Sequence, residues 1–334
     1  MKKEKALIIF TDIDQTLLPI DLRALKEFVN IVKEIQEEKK VKVKLCPISG
    51  RQPVFVKGIM NFISGIFESE GVYNLVEMGA GEQGAIIVHS TEPEHLYYLA
   101  NKDDLEFKKK ASRVVKDSYL SRYLSETPQN VVINTFSLNE KYKRKLPVNE
   151  KEKVFTELRK LLEDKLGDTI RVSHVVDSLE IAPKNIGKDI AIRSILKTYA
   201  KRYDIVGVTF SGDSENDLSA VKFLDKLFKL KGEAVNVLLP SNAYECLDLK
   251  NMRYEDTYSK FSSNNIQRAD SERFKGVLEL LKDNYEKGTL LTQKGKNVID
   301  VANIEVIQNS IDYNNEYITN ASWKYKNFKM HLLF

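Results

Sequence analysis

A short apolar run that stops at two carboxylates constrains the fold more than any other feature of this sequence. Residues 8–10 are isoleucine, isoleucine and phenylalanine, a composition typical of a buried strand, and Asp12, Asp14 and Thr16 follow at alternate positions. In an open α/β sheet, ligands bind in the crevice beyond the carboxyl ends of the strands. We therefore expect this strand to deliver both aspartates to such a crevice.

The spacing of Asp12 and Asp14 has a chemical implication. Two negative charges in a partly desolvated site repel each other unless a cation lies between them or one carboxylate carries a proton. The arrangement therefore indicates a divalent metal, a general acid, or both. The pattern Asp-x-Asp-x-Thr is short enough to occur by accident, so its meaning depends on what else the chain supplies.

The composition fits a soluble globular protein and restricts its partners. The chain has 334 residues, 42% hydrophobic and 30% charged, enough for one large or two ordinary domains. A net charge of +4 from 52 basic and 48 acidic residues neither requires nor excludes nucleic acid, and we expect no nucleic-acid partner. No apolar run could span a bilayer and no signal-peptide pattern is present, so the sequence predicts a cytoplasmic protein without a membrane partner.

The first ninety residues alternate between strand and helix patterns. Apolar residues at helical spacing over 21–40 predict a helix with one charged face, and residues 41–48 predict a second strand that closes a β-α-β unit. A second helix is predicted over 52–62, and a glycine-rich loop at 79–84 leads into a further strand. This alternation predicts an α/β fold with a Rossmann-like parallel sheet core and helices on both faces.

The character of the chain changes near residue 89, after which charge and tyrosine become more frequent. The predicted elements are helices over 105–124 and 150–166, a strand over 130–136 and a hairpin over 169–182. We interpret residues 89–183 as an inserted α+β cap domain. An insertion near the carboxyl ends of the strands could lie over the crevice as a lid.

The parallel-sheet pattern returns after residue 183. The predicted elements are helices over 186–201, 214–225 and 270–283 and strands over 204–210, 226–230 and 234–240. We assign residues 1–88 and 184–284 to one discontinuous core domain. Residues 285–334 are asparagine-rich with scattered strand-like pieces, and we treat them as a C-terminal extension of unknown role.

A second acidic cluster follows the predicted strand over 204–210. Asp213, Asn216 and Asp217 lie there, and carboxylate oxygens of this kind suit a hard cation such as Mg²⁺. We expect Asp213 to face Asp12 across the crevice. The alternative is that Asp213, Ser214 and Asp217 only cap and decorate the start of a helix.

Two further positions offer groups that bind phosphate. Ser49 and Gly50 follow the predicted strand over 41–48, where a hydroxyl and backbone amides could receive a phosphate oxygen. Lys188 opens a predicted helix and could bring a compact positive charge to a phosphate and to the crowded carboxylates. Each feature is common when taken singly. Only their occurrence together, in this order along the chain, indicates a common site.

That ordered set resembles the haloacid dehalogenase superfamily of phosphohydrolases. The residues that match its four motifs are Asp12 with Asp14, Ser49, Lys188, and Asp213 with Asp217. Residues 183–189 and 212–217 are similar to the Cof-type, sugar-phosphatase branch, which carries a C2-type α+β cap after the second motif. Gln15 and Asp189 depart from this branch, because glycine is frequent at both positions.

The resemblance implies a mechanism. Asp12 would attack phosphorus to form an aspartyl-phosphate, while Asp14 would protonate the leaving alcohol and then activate water. The cofactor would be Mg²⁺, held by Asp12, Asp213 and the backbone carbonyl of Asp14. The residues implied to bind the substrate phosphate or to steady its loop are Thr16, Ser49, Gly50 and Lys188. Asn216 and Asp217 would support Lys188 or metal-bound water.

The function predicted from this resemblance is Mg²⁺-dependent hydrolysis of a small phosphorylated metabolite, with a sugar phosphate favoured. A phosphosugar mutase of the same fold is one alternative, and a non-catalytic binding or regulatory protein that retains the fold is another. The sequence leaves the oligomeric state open. Residues suggested to border the crevice or to reach the leaving group are Glu82, Gln83, Arg171, His174 and Glu180, and the basic residues 141–145 are interpreted as a solvated loop.

Overall fold

The computed structural model describes residues 3–90, 96–100, 102–127, 130–175, 178–244, 265–293 and 295–299. Among these residues the strands are, in chain order, β1 Glu4–Thr11, β2 Val41–Pro47, β3 Met78–Gly81, β4 Ile86–His89, β5 Leu96–Tyr98, β6 Leu124–Glu126, β7 Asn134–Leu138, β8 Ile170–Val175, β9 Ser178–Pro183, β10 Tyr203–Ser211, β11 Val235–Leu239 and β12 Ile266–Arg268. They form a five-stranded, a three-stranded and a four-stranded sheet.

The described α-helices connect and cover these sheets. They are α1 Leu22–Glu38, α2 Pro53–Ser69, α3 Lys102–Lys116, α4 Glu140–Lys145, α5 Val148–Leu166, α6 Lys188–Ala200, α7 Leu218–Lys231 and α8 Arg273–Glu286. Helix α1 begins where the side chain of Asp21 accepts hydrogen bonds from the backbone N–H groups of Arg23 and Ala24. None of the helices within the described ranges is both long and apolar enough to cross a membrane.

Strand β1 is buried on both faces, which explains its uninterrupted apolar sequence. Leu7 and Ile9 belong to a cluster that includes residues of α1, α2 and α8, whereas Ala6, Ile8 and Phe10 belong to a second cluster with residues of α6 and α7. Successive side chains of a strand point to opposite faces, so one strand feeds both clusters. The predicted α/β fold with helices on both faces of the sheet is confirmed.

The five-stranded sheet has the order β12-β11-β10-β1-β2, and all its neighbouring strands pair in parallel. From β1 the chain proceeds to β2 on one side, while β10 lies on the other, so the strand order reverses at β1. The last pair of the β1–β10 ladder joins Thr11 to Ser211, and the N–H of Asp12 donates to the carbonyl of Ser211 over 2.8 Å. The loops after β1 and β10 therefore start side by side at the switch point, where open α/β sheets bind ligands.

The four-stranded sheet is antiparallel, with the order β6-β7-β9-β8, and two helices cover one of its faces. We call this sheet with α3 and α5 the cap. Its core contains apolar residues of both helices together with the strand residues Phe136, Leu138, Leu179 and Ile181. The side chains of Thr135, Ser137, Ser178 and Glu180, which alternate with these four on β7 and β9, are polar or charged and lie on the other face of the sheet.

The predicted strand over 226–230 is wrong, because these residues form the last turns of α7. The three apolar residues among these five suggested a strand. However, Val221, Leu224 and Leu227 are buried at helical spacing, and the helix ends at Gly232 in the left-handed conformation. The helical period of the whole segment outweighs the short strand-like piece at its end.

Other differences concern the insertion. The helix predicted over 105–124 ends at Lys116, and a short helical turn and β6 follow it. The strand predicted over 130–136 is displaced to Asn134–Leu138, and the basic residues 141–145 lie in the short exposed helix α4 instead of a loop. The turn of the predicted hairpin, residues 176–177, lies outside the described residues.

The first part of the predicted C-terminal extension packs on the core. Leu290, Val298 and Ile299 are buried, and the N–H groups of Thr292 and Val298 donate to carbonyls of β10. A side chain at Gly207 of β10 would lie 2.4 Å from the carbonyl oxygen of Leu290, so glycine is needed where the two segments cross. Residues 300–334 of the predicted extension lie outside the described residues.

Candidate active site

Three carboxylates from two loops converge at the carboxyl edge of the parallel sheet. Asp12 follows β1, and Asp213 and Asp217 follow β10. One oxygen of each lies within 4.8 Å of the others, and all three side chains are buried. The structure thus brings Asp12 and Asp213 together, as the positions of their strands predicted.

Lys188 places a positive charge among these carboxylates. As the first residue of α6 it is completely buried, and its Nζ lies 2.6 Å from Oδ1 of Asp12 and 2.5 Å from Oδ1 of Asp217. Burial lowers the pKa of Lys188, but the charges of Asp12 and Asp217 and the hydrogen bonds to them outweigh burial, so the pKa is raised above its ordinary value. The ammonium group therefore remains charged and ties the two loops together.

Asp217 organises the loop after β10. Its Oδ2 accepts hydrogen bonds from the backbone N–H groups of Asp213 and Ser214, at 3.0 and 2.9 Å, and from the hydroxyl of Ser214 at 3.0 Å. Since Oδ1 accepts from Lys188, both oxygens of Asp217 are engaged. A side chain at Gly212 would lie 2.4 Å from Cγ of Asp217, so glycine permits this close packing. Asp217 accordingly positions Lys188 and Asp213.

The crowding of acidic groups disfavours their ionised forms. Burial raises the pKa of Asp12 well above its usual range; the attraction of Lys188 opposes this effect and the charges of Asp217 and Asp213 add to it. Burial and the charge of Asp217 raise the pKa of Asp213 to about 7, against a hydrogen bond from the hydroxyl of Thr16 at 3.0 Å. The contact with Asp213 also shows that Thr16, predicted beside the phosphate, orients a carboxylate.

The acidic group fits a divalent cation. Its donors are carboxylate oxygens, which Mg²⁺ prefers, and Lys188 supplies only one positive charge for three carboxylates. A cation between Asp12 and Asp213 would favour the ionised forms of both carboxylates and so oppose the burial that raises their pKa values. The carboxylate of Asp14 is not among the three. The predicted contribution of Asp14 through its backbone carbonyl stays a prediction.

Asp14 forms an ion pair with Arg51. Nε of Arg51 lies 2.9 and 3.1 Å from the two oxygens of Asp14, and Nη2 lies 2.7 Å from Oδ1. The two side chains are 34% and 53% exposed, which places them at the rim of the crevice. The guanidinium group of Arg51 also lies over the ring of Phe55, 4.8 Å from its centroid. Sequence reasoning did not assign a role to Arg51, although it directly follows two motif residues.

Ser49 and Gly50 follow the end of β2 and lie beside Asp14 and the cap. The hydroxyl of Ser49 accepts the N–H of Arg51 at 3.0 Å and lies 3.5 Å from Oδ2 of Asp14. A side chain at Gly50 would meet Glu180 of the cap, since its Cβ would lie 2.5 Å from Oε1. Glycine at this position therefore allows a carboxylate of the cap to approach the core.

Glu180 brings the negative charge of the cap into the site from β9. Its Oε2 accepts hydrogen bonds from the side-chain amides of Gln83 and, at 3.2 Å, of Asn216. Burial raises the pKa of Glu180, and the two amide hydrogen bonds oppose that rise. Through this one carboxylate the cap contacts the core loop after β3 and the core loop after β10.

Glu82 makes a second connection between core and cap. Its carboxylate, which is fully buried, accepts the backbone N–H groups of Val131, Val132 and Ile133 at 2.7, 2.6 and 3.2 Å. Burial raises the pKa of Glu82, and the three N–H groups oppose that rise. Glu82 and Gln83 were expected to border the crevice; the structure has both of them holding the cap in place.

Of the three cap residues predicted to reach the leaving group, only Glu180 lines the crevice among the described residues. Nη1 of Arg171 lies 3.8 Å from Asp189, and the ring of His174 packs against Phe155 with centroids 5.2 Å apart. Arg171 and His174 are therefore not among the described residues that line the cavity, and their contact with a leaving group stays a prediction. Asp189, a departure from the resembled branch, is thereby identified as an ion-pair partner of Arg171.

Comparison with known families decides what kind of protein has this site. Residues 9–237 match the family model of haloacid dehalogenase-like hydrolases. This chain belongs to the haloacid dehalogenase-like hydrolases. The match runs from β1 into β11 and contains all the motif residues described above, so the resemblance inferred from the sequence is confirmed.

Solved structures show the same fold at low identity. The sucrose-phosphatase of Synechocystis sp. PCC6803, in complex with sucrose and phosphate, is 16% identical, with 85% of this hydrolase and 98% of that chain covered at a TM-score of 0.54. The C-terminal domain of the C. albicans trehalose-6-phosphate phosphatase is 17% identical, with 69% and 77% covered at 0.50. The C-terminal domain of the Candida albicans trehalose synthase regulatory protein is 13% identical, with 84% and 93% covered at 0.51. No curated protein matches this hydrolase.

The site of this hydrolase opens into a cavity of about 600 Å³ between core and cap. This volume lies within the roughly 300–1,000 Å³ that is usual for sites that bind small molecules. Its core wall includes Asp12, Asp14, Arg51 and Asp213, and Glu180 belongs to its cap wall. The carboxylates of the site therefore face a space large enough for a small ligand.

Gln15 of this hydrolase, at a position where the resembled branch often has glycine, has a positive φ angle. Its φ is +57°, in the left-handed region, and its backbone carbonyl accepts a hydrogen bond from the side chain of Asn242 at 2.8 Å. A side chain in this region costs about 1–2 kcal/mol. A contact between distant parts of the chain thus holds Gln15 in an unfavourable conformation.

We expect Gln15→Gly to be more stable than Gln15→Ala by about 0.5–1 kcal/mol in free energy of unfolding, because glycine removes the strain at a smaller entropic cost. Both variants lack the glutamine side chain, so their difference isolates the Cβ atom. Urea unfolding followed by circular dichroism measures it. An alanine variant as stable as the glycine variant would contradict the assignment of strain.

Proposed function

We propose that this protein is a Mg²⁺-dependent phosphatase that hydrolyses a small phosphorylated metabolite, a sugar phosphate, through an aspartyl-phosphate intermediate. The family supports hydrolase chemistry, and phosphatases acting on sugar phosphates are among the proteins that share its fold. The observation that carries the proposal is the position of Asp12, which is buried beside Lys188 and Asp213 and faces the cavity.

The proposed reaction has two steps that use residues of this chain. In the first, an oxygen of Asp12 attacks phosphorus, the bond from phosphorus to the alcohol oxygen breaks, and protonated Asp14 gives its proton to that oxygen. In the second, Asp14 removes a proton from water, the water oxygen attacks phosphorus, and the carboxylate of Asp12 is released. The net change is ester plus water to alcohol plus phosphate, with Asp14 again protonated.

Mg²⁺ would be held by Asp12 and Asp213. When bound, it would neutralise charge between the carboxylates and the phosphoryl oxygens, which otherwise repel each other. Thr16 supports this assignment because its hydroxyl fixes Asp213, and Asp217 supports it because it binds the N–H of Asp213. We propose Asp217 and Asn216 as positioning residues.

The phosphate site is proposed at Lys188, Ser49 and Gly50. Lys188 brings a fixed positive charge to Asp12, and the loop of Ser49 and Gly50 lies beside Asp14. Arg51 is added to the predicted set, because its two-point contact orients the carboxylate form of Asp14, which takes the proton from water in the second step. Asp14 itself lies at the cavity, where a leaving group would be.

A non-catalytic regulatory protein is the second candidate. The observation that favours it is the fold likeness to a domain of a trehalose synthase regulatory protein, which is similar in TM-score to the likeness to phosphatases. The retention of Asp12, Asp14, Lys188 and Asp213 in one site supports the phosphatase instead. A phosphosugar mutase would pass the phosphoryl group to a sugar hydroxyl. It is distinguished from a phosphatase by its product, an isomeric sugar phosphate instead of free phosphate.

The test is a screen of phosphorylated metabolites and an aryl phosphate with the purified full chain, in which released phosphate and isomeric sugar phosphates are measured together. We expect phosphate release with added Mg²⁺, and at least about tenfold less after EDTA, restored by excess Mg²⁺. Isomer formation without net phosphate release would support the mutase. No turnover of any ester would support the regulatory protein.

A further inference from the structure

The cap presents a hydrogen-bonding wall to the proposed active site. On β7 and β9, residues at alternate positions enter the apolar core of the cap, and the residues between them face the cavity. The described cap residues that line the cavity are Thr127, Asn130, Thr135, Ser137, Ser178 and Glu180. Hydroxyl and amide groups dominate this wall, and such groups can both donate hydrogen bonds to the hydroxyls of a polyol and accept hydrogen bonds from them.

Glu180 carries the charge of this wall. It lies directly opposite Thr135 in the β7–β9 ladder, and its side chain is only 8% exposed. Both amide groups that bind it donate to Oε2, so Oε1 accepts no hydrogen bond from the described residues. Oε1 therefore has the capacity to accept a hydroxyl group of a ligand, whereas it repels a second anion.

The positive charges near the cavity already have partners. Arg51 is the only basic residue among the described residues that line the cavity, and it makes a two-point ion pair with Asp14. Lys188 is completely buried between Asp12 and Asp217. The described part of the wall thus lacks a cation for a second anionic group on the substrate.

We infer that the leaving group of the substrate is an uncharged polyol, and that Glu180 excludes phosphate esters with a second anionic group. The inference rests on the proposed phosphatase function and deepens it by naming the substrate class. Glu180 is a specificity-determining residue in this scheme: it accepts a hydroxyl of the leaving group and opposes a carboxylate or second phosphate at the same place.

The test uses pairs of esters that differ in charge far from the reacting phosphate. Glucose 6-phosphate is compared with 6-phosphogluconate, and fructose 6-phosphate with fructose 1,6-bisphosphate, with the full chain and Mg²⁺ in excess. We expect kcat/KM for phosphate release to favour the uncharged leaving group by at least about tenfold in each pair. Equal rates or a preference for the anionic member in the wild-type protein would overturn the inference.

The variant Glu180→Gln removes the charge and keeps the shape. We expect the preference for the neutral member to fall by about tenfold, mainly through a lower KM for the anionic member. The matched control is Glu163→Gln, the same substitution at an exposed position of α5, which should leave the preference unchanged. A preference that is unchanged in Glu180→Gln would remove Glu180 from the inference even if the wild type prefers neutral esters.

The outcome is separable from that of the proposed function. If no ester or aryl phosphate is hydrolysed in an Asp12-dependent manner, the phosphatase proposal fails and the inference fails with it. If hydrolysis depends on Asp12 but anionic leaving groups are accepted equally, the phosphatase stands and only the charge selectivity fails. Circular dichroism of each variant verifies that the ratio is measured on folded protein.

Discussion

Replacing Asp12 by asparagine is expected to lower kcat for phosphate release by at least about 1,000-fold, because a neutral amide is a poor nucleophile and forms no acyl phosphate. The substitution keeps the shape of a side chain that is only 4% exposed. It also leaves Lys188 with one carboxylate partner instead of two. Released phosphate measured under saturating substrate and Mg²⁺ provides the value.

The control for this prediction is Asp21→Asn, the same change nine positions later. Asp21 caps α1 through its side chain, a role that asparagine fills equally well, and it is exposed. We expect Asp21→Asn to retain wild-type activity. Mg²⁺-dependent turnover by Asp12→Asn within tenfold of the wild type would refute Asp12 as the nucleophile, and a full loss in Asp21→Asn would show that the assay reports folding.

Replacing Lys188 by methionine is expected to remove activity to a similar extent and to lower the free energy of unfolding by about 3–5 kcal/mol, measured without Mg²⁺. Methionine has nearly the length of lysine but no charge. Asp12 and Asp217 would then lie buried without their shared cation, in a place where burial already raises the pKa of Asp12. Urea unfolding and phosphate release measure the two effects.

Lys184→Met is the matched control, because Lys184 is exposed and lies close before Lys188 in the chain. We expect it to change the free energy of unfolding by no more than about 0.5 kcal/mol. A double-mutant cycle with Asp217→Asn tests the ion pair directly, since residues in contact couple. If Lys188→Met were as stable as the wild type, the charged pairing would not hold the two loops together.

Much of the core could be predicted because its signals are local. The apolar sequence of β1 is continuous since both faces are buried, and the carboxylates follow at its end. Parallel pairing of β1 with β10 then brings Asp12 beside Asp213, although Thr11 and Ser211 at the ends of these strands are 200 positions apart. The wrong strand over 226–230 shows the limit: five residues are too few to reveal that they continue a helix.

The polar face of the cap could also have been predicted, since residues 135–138 and 178–181 alternate between polar and apolar side chains. That pattern gives the face of each side chain but not what the face contacts. The sequence therefore predicts the same role at the leaving group for Glu180, Arg171 and His174. Only the packing of the cap on the core shows that Glu180 differs from the other two by lining the cavity. Arg171 lies near Asp189, and the ring of His174 packs against Phe155.

The contacts that complete the site could not be predicted, because no local pattern specifies them. Gln83 and Glu180 are 97 positions apart, and Arg51 and Asp14 are 37 apart. Each pair joins two loops whose mutual distance depends on the whole fold. Helix and strand periodicity reports burial within one element, so it contains no information on which charged groups meet across a crevice.

Glu82 has a consequence for how the molecule could be re-engineered. It secures the entry of the chain into β7 by binding three consecutive main-chain N–H groups, a pattern that any non-proline residues can present. Its neighbour Gln83 binds the strand by which the chain leaves the same sheet. A cap domain from another protein could thus replace this one without any requirement on its side chains where the chain enters the cap. Its last strand would only have to offer a hydrogen-bond acceptor to Gln83.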